Sequence, residues 1–177
     1  MAEWIIDPDH SVATFAVRHM MIADIHGQFN DVRGVIHFDP ADPALLSVEA
    51  EIDVAGIYTG INKRDEHMRS PDFLDAAQHP KITFTGRTAE AGGDRLCKIT
   101  GDLTIRGVTR TVTLEGKYSG PVNDPFEEGA MSIGFTGSTV INREDYGMMY
   151  NAVMEGGFMV GREVQITLNV EADLARG

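Results

Sequence analysis

The chain has 177 residues, and its 27 acidic residues outnumber 15 Lys and Arg to give a formal net charge of -12. That balance excludes nucleic acid as a partner, because a phosphate backbone needs a basic face, and it excludes docking by charge on an anionic membrane. A hydrophobic content of 42% with 24% charged residues is that of a soluble globular chain, expected to fold as one domain over residues 1–177 around a sizeable core.

The elements follow in chain order. Met1–Asp7 has neither a basic start nor an apolar run of secretory length, and no window approaches the roughly 18 apolar residues of a membrane span. A cytoplasmic protein without stable membrane insertion is the expectation. Trp4-Ile5-Ile6 reads as a short strand, after which Ala13, Phe15 and Val17 share one face of a longer run. Val32, Gly34, Ile36 and Phe38 share a face of the next. Val48, Ala50, Ile52 and Val54 alternate with Ser47, Glu49, Glu51 and Asp53, the pattern of a half-buried strand. Arg64–Phe73 then forms a charged helical island. Strand patterning resumes with Ile82 and Phe84, then with Cys97, Ile99, Gly101, Leu103 and Ile105. Arg106-Gly107 is a tight turn, and the return strand carries Val108, Val112, Leu114, Gly116 and Tyr118. Met131, Ile133, Phe135, Gly137 and Thr139 make another strand, and Val164 through Leu174 alternate to the end.

Eight or nine strands result, several of them near ten residues and mostly joined by hairpin-length links. Long antiparallel strands with one apolar face resolve their open edges by closing into a barrel or stacking as a sandwich. Eight strands in a barrel enclose space that side chains fill or that holds one small ligand. Gly34, Gly101, Gly116 and Gly137 on the apolar faces mark bends, or room for a guest. A charged helix among long strands suggests a lid or plug.

The residues give no reaction. His10, His19, His26, His37, His67 and His79 have no recognised metal-ligand spacing, and Asp65 and His67, two apart on a helix, point to different sides. Ser11 beside His10 and Ser70 near His67 lack a nucleophile elbow, and Gly92-Gly93 belongs to a hairpin turn rather than a phosphate loop. The single Cys97 excludes an intramolecular disulfide and cannot form a thiolate metal cluster on its own; with the histidine spacing, no metal or cofactor is expected. Met-rich loops, Met20-Met21-Ile22 and the stretch from Met148 to Met159, fill core gaps, cover an apolar guest or form a dimer interface.

Several words taken together resemble the YceI-like family. They are His10-Ser11 with Phe15, Val17, His19, Met20 and Met21, then Gly27-x-Phe29. In the middle come Arg64-Asp65-Glu66-His67-Met68-Arg69-Ser70-Pro71-Asp72-Phe73 and Pro80-Lys81-Ile82-Thr83-Phe84. Gly101–Thr109, Ile141-Asn142-Arg143-Glu144-Asp145-Tyr146-Gly147 and Gly161-Arg162-Glu163-Val164 follow, so the likeness spans nearly the whole chain. The resemblance implies an all-β, extended eight-stranded antiparallel lipocalin-like β-barrel with a short helix packed at one end. It also implies an apolar tunnel for a polyisoprenoid chain. Wall candidates are Phe15, Val17, Phe29, Ile36, Phe73, Phe84, Leu103, Ile133, Phe135 and Phe158; Arg64, His67, Arg69 and His79 are candidates to meet a polar head.

A non-enzymatic carrier or store of such a lipid, as a homodimer, is therefore the leading expectation. The alternatives are an enzyme acting on a small hydrophobic or quinone-like substrate with Asp65, His67 and His79 as acid and base, and a structural dimer with a filled barrel.

Overall fold

Period-two patterning becomes one antiparallel sheet that closes on itself. The computed structural model describes residues 1–175. Its strands are β1 (Ala2–Ile6), β2 (Val12–His19), β3 (Ala23–Phe29), β4 (Val32–Phe38) and β5 (Ser47–Asp53), followed by helix α1 (Asn62–Arg69). Then come β6 (Lys81–Ala91), β7 (Leu96–Ile105), β8 (Val108–Asn123), β9 (Met131–Asn142), a small ribbon of β10 (Val153–Met154) and β11 (Gly157–Phe158), and β12 (Val160–Leu174). Neighbouring strands follow chain order from β4 to β9, by short links except between β5 and β6 where α1 intervenes, and β12 pairs with β9 along one edge. Its other edge serves two partners, β2 opposite Val160–Asn169 and β1 opposite Ala172–Leu174.

β1 and β2 thus act as one strand broken at Pro8–His10, while β3 and β4 act as one strand broken at Asn30-Asp31. Counted so, the closed antiparallel barrel has eight strands and one short helix, as expected. Pro8 has no N–H to give the ladder. The side chain of Asp7 accepts from Asp9 N at 2.9 Å, and Ser11 Oγ donates to the Glu171 carbonyl at 3.2 Å and accepts from Glu171 N at 3.1 Å. Polar groups freed by the break are thereby satisfied.

Register places apolar residues opposite one another around the circumference. Phe15 faces Ile166, Ala13 faces Leu168, Leu168 faces Gly137, and Ala50 faces Phe84, which faces Leu103. A slip of one residue would turn every one of these to solvent, which is why the pairing is unique. One end is plugged. Trp4, Phe38, Ile133 and Ala172 are buried there, with the Phe38 ring edge-on to Tyr118 at 4.8 Å and to Phe135 at 5.2 Å. The Trp4 indole N–H donates to the Phe38 carbonyl at 3.1 Å.

The inward glycines differ in what surrounds them. A Cβ on Gly116 would run into the Thr136 carbonyl, and one on Gly101 into the Thr85 carbonyl, so close strand approach requires both glycines. A Cβ on Gly137 would meet only Leu114 Cβ at 3.8 Å and Glu115 O at 3.9 Å, ordinary contacts.

Three local expectations are corrected. The helix is Asn62–Arg69, ending before Phe73, because Ser70 precedes Pro71 and takes extended backbone with φ -73° and ψ 168°. Val54 leaves the strand for a short 3-10 turn, though it stays 1% exposed. Strand β3 is additional. Its inward Gly27 interrupts the apolar alternation, since the Phe15 ring occupies the space a side chain would need.

Candidate functional site: an apolar cavity beneath helix α1

Above the plug the barrel is hollow. Phe15, Val17, Val112, Leu114, Ile166 and Leu168 point inward, yet none is fully buried. In a closed barrel that residual surface can face only an internal space. The space is a cavity of about 410 Å³ bounded by these side chains. That volume lies within the roughly 300–1,000 Å³ of small-molecule sites. Cys97 contributes to its wall, where burial pushes the thiol above its ordinary pKa and leaves it an inert apolar group.

The mouth lies at the end where β5 leads into α1. Buried Asp65 accepts from Thr59 N at 2.8 Å and from the Thr59 hydroxyl. Arg64 donates to Thr59 Oγ1 at 2.8 Å and to the Thr59 carbonyl at 2.6 Å; Arg69 donates to the carbonyls of Ala55 at 2.9 Å and Ile57 at 3.1 Å. The segment they grip is bridged to β3, with Tyr58 and Gln28 exchanging backbone hydrogen bonds at 2.9 Å. α1 is therefore a fixed wall of the mouth.

Opposite α1, buried Arg143 organises the loop after β9. It donates to the carbonyls of Gly161 at 2.7 Å, Tyr150 at 2.9 Å and Val160 at 3.3 Å, and also to Met148. Burial pulls its guanidinium below the ordinary arginine pKa. The two sides meet in an aromatic cluster: His67 is edge-on to Tyr150 at 4.8 Å and to Phe73 at 5.0 Å, and Phe73 lies 5.2 Å from Tyr150.

Of the residues singled out from sequence, Phe15, Val17, Phe29, Ile36, Phe84, Leu103 and Phe135 border the cavity, with Arg64, His67 and Phe73 at its α1 side. Four lie elsewhere. Ile133 is packed into the plug at 1% exposure. His79 packs under the Gly107 turn. Phe158 belongs to the two-residue strand β11, which alternation does not orient, and its ring sits outside with Arg162 5.7 Å above it. Arg69 is consumed by the carbonyls it holds.

Sequence reasoning missed Arg143 as a site residue, while Met148, Tyr150 and Met159, which fall in the Met-rich stretch expected to cover an apolar guest among other roles, border the cavity. The Met-rich loops are divided, because Met20, Met21 and Met149 are exposed instead.

The acid and base candidates do not converge. Asp65 is bound to Thr59, His67 Nε2 lies 2.8 Å from Asp72 Oδ2, and His79 is at the Gly107 turn. Among the described residues one possible metal-ligand group occurs, Asp7, His10 and Glu171, with ligand atoms within 4.8 Å of one another at the strand break. His10 Nδ1 is 2.5 Å from Asp7 Oδ2, which raises the imidazole pKa and lowers that of the carboxyl. No helix of the described residues is long and apolar enough to cross a membrane.

A closed antiparallel barrel with a hollow apolar interior and a helical wall at its mouth defines a lipocalin-like architecture. Within that class the chain belongs to the YceI-like family, whose domain model matches residues 4–172. Protein YceI of Escherichia coli O6:H1 is 37% identical over 147 residues, covering 82% of this chain and 75% of that protein. BcnA of Burkholderia cenocepacia superposes with a TM-score of 0.82 at 25% identity, over 94% of this chain and 98% of that one. A polyisoprenoid binding domain from Saccharophagus degradans matches with a TM-score of 0.73 over 99% of this chain and all of its own length; at 16% identity this is a likeness of fold.

Proposed function

We propose that this protein binds a polyisoprenoid or isoprenoid-quinone-like chain in the barrel cavity and stores, carries or sequesters it without catalysis. The observation behind this reading is the ring of inward, incompletely buried apolar side chains around about 410 Å³ of space. A branched hydrocarbon chain has no hydrogen-bonding groups, so a dry apolar tube of adequate width is the whole recognition requirement. Burial contributes about 25 cal/mol per Å² of apolar surface, part of it lost to ordering the chain. The polyisoprenoid binding domain of the same fold supports the assignment. Separate partners for Asp65, His67 and His79 weigh against the enzyme reading.

A homodimer is part of the proposal, with the exposed rim of Met20, Met21, Ile22, Met149 and Val153 as its interface. Light scattering of the purified protein tests that part. Native mass spectrometry, followed by organic extraction, tests the ligand. A stoichiometric apolar species with isoprenoid mass spacing is expected. A bare chain that takes up no prenyl quinone on incubation would refute the reading.

A further inference from the structure

The break between β1 and β2 gathers three metal-ligating side chains on the outside of the barrel. Asp7 caps the 3-10 turn Pro8–His10, His10 ends that turn, and Glu171 comes from β12 at the far end of the chain. Val170 and Ala172 on either side of Glu171 are buried, so the Glu171 side chain points outward, away from the cavity. A ring nitrogen of His10 and one carboxylate oxygen each from Asp7 and Glu171 lie within 4.8 Å of one another. The third donor is remote in sequence, and spacing alone therefore does not reveal the group.

The three residues stand on a fixed frame. Asp7 N donates to the Glu171 carbonyl at 2.9 Å, and the Ser11 hydroxyl bridges the carbonyl and N–H of Glu171 at 3.2 and 3.1 Å. Asp7 Oδ1 accepts from Asp9 N, which leaves Oδ2 to face His10 Nδ1. Charge at this point is unbalanced. Among the described residues no Lys or Arg forms an ion pair with Asp7, Asp9 or Glu171, so His10 is the one cationic partner near three carboxylates. The half-buried Glu171 carboxylate accepts no hydrogen bond among the described residues.

We propose that Asp7, His10 and Glu171 form a divalent-cation site for zinc or a similar first-row ion. One imidazole nitrogen with two carboxylate oxygens suits such ions, whereas calcium and magnesium prefer oxygen alone. At zinc bond lengths of about 2.1 Å, tetrahedral donors stand about 3.4 Å apart, so binding draws the three together by about 1.4 Å at most. The ion takes the place of the proton that His10 Nδ1 shares with Asp7 Oδ2, and that proton passes to solvent. Bound there, the ion clips the turn to β12 at the point where β12 changes partner from β2 to β1. The site is separate from the cavity and independent of what the cavity holds.

Zinc chloride and calcium chloride, titrated by calorimetry into the whole, tag-free, chelator-treated chain, test the proposal. One zinc per chain is expected, with calcium at least about tenfold weaker. Glu171→Gln and His10→Gln are each expected to weaken zinc by at least about tenfold. Zinc at about a hundred times its Kd is expected to raise the melting temperature of the unmodified protein by about 5–10 °C, and that of Glu171→Gln far less. Glu171→Gln keeps the side-chain shape and every backbone bond of the frame, so it decides even if His10→Gln fails to fold. No zinc uptake at about 1 mM, or equal zinc affinity in the unmodified protein and Glu171→Gln, overturns the site. Calcium bound as tightly as zinc overturns the assignment to a mixed nitrogen and oxygen donor set.

Discussion

Gly137 offers a way to fill the cavity without disturbing the barrel. It lies on the inward face of β9, borders the cavity, and has only ordinary contacts where a Cβ would go. Gly137→Leu therefore sends four carbons into the space a ligand would use. At about 0.8 kcal/mol per buried methylene-sized group, displacing an equal length of ligand costs roughly 3 kcal/mol, or about two-hundredfold in Kd. The same side chain buries apolar surface and removes a strand-interior glycine, so the melting temperature is expected to hold or rise. The matched control is Gly116→Ala, directly opposite in the ladder, whose methyl collides with the Thr136 backbone and is expected to cost about 1–3 kcal/mol. Prenyl-quinone binding by fluorescence and unfolding in urea give the two readouts. A Gly137→Leu protein of full stability and undiminished affinity would refute the placement of the ligand in this cavity.

Phe135→Trp enlarges the plug beside Phe38 and shortens the cavity from its closed end, so retained lipids should shift to shorter chains by mass spectrometry while the fold persists. Tyr146 is 1% exposed and its hydroxyl has no hydrogen-bond partner among the described residues, so Tyr146→Phe should be neutral or stabilising by up to about 1 kcal/mol; a clear loss in urea unfolding would show that the hydroxyl is satisfied. Asp7 and His10 make a pH-dependent pair. His10, whose pKa is raised by Asp7, stabilises fully below its ordinary 6.5 and loses this as pH climbs through the raised value. Asp7, whose pKa is lowered by His10, contributes above its ordinary 3.8 and loses this as pH falls through the lowered value. The melting-temperature gap between the unmodified protein and His10→Gln should therefore peak at about pH 4 to 6.5 and close on the alkaline side; a gap independent of pH would contradict the pairing.

Strand faces were legible wherever one side of a strand meets water and the other does not, as in Val48–Val54 against Glu49, Glu51 and Asp53. β3 was not, because its inward Gly27 yields its space to Phe15 from the neighbouring strand, a fact of three dimensions. The cavity was half legible. Phe15, Leu103 and Phe135 announce an apolar interior, but the same letters spell a filled core, and only the residual exposure of Phe15 or Leu168 separates the two. Arg143 was hidden for another reason. In the chain it stands among Asn142, Glu144 and Asp145 like a solvated charge. Its burial follows from carbonyls supplied by a loop that ends up to eighteen residues later.

The seam of the barrel joins the first and last strands: Trp4 pairs with Leu174, and Ala175 N donates to the Glu3 carbonyl at 2.8 Å. Contacts of such sequence separation form late and slowly. Until residues 172–174 are in place the sheet stays open at that edge, and the surfaces that later line the cavity face the surrounding medium. Encapsulation then waits on the pairing of β12 with β1, and an apolar guest met during folding can be enclosed as well as one that enters afterwards through the mouth. Because Glu3 and Ala175 are hydrogen-bonded neighbours, a protein made of residues 3–175 can have those two positions joined by a short linker and be reopened at the exposed turn around Gly93, with the seam made covalent and the closing step shortened.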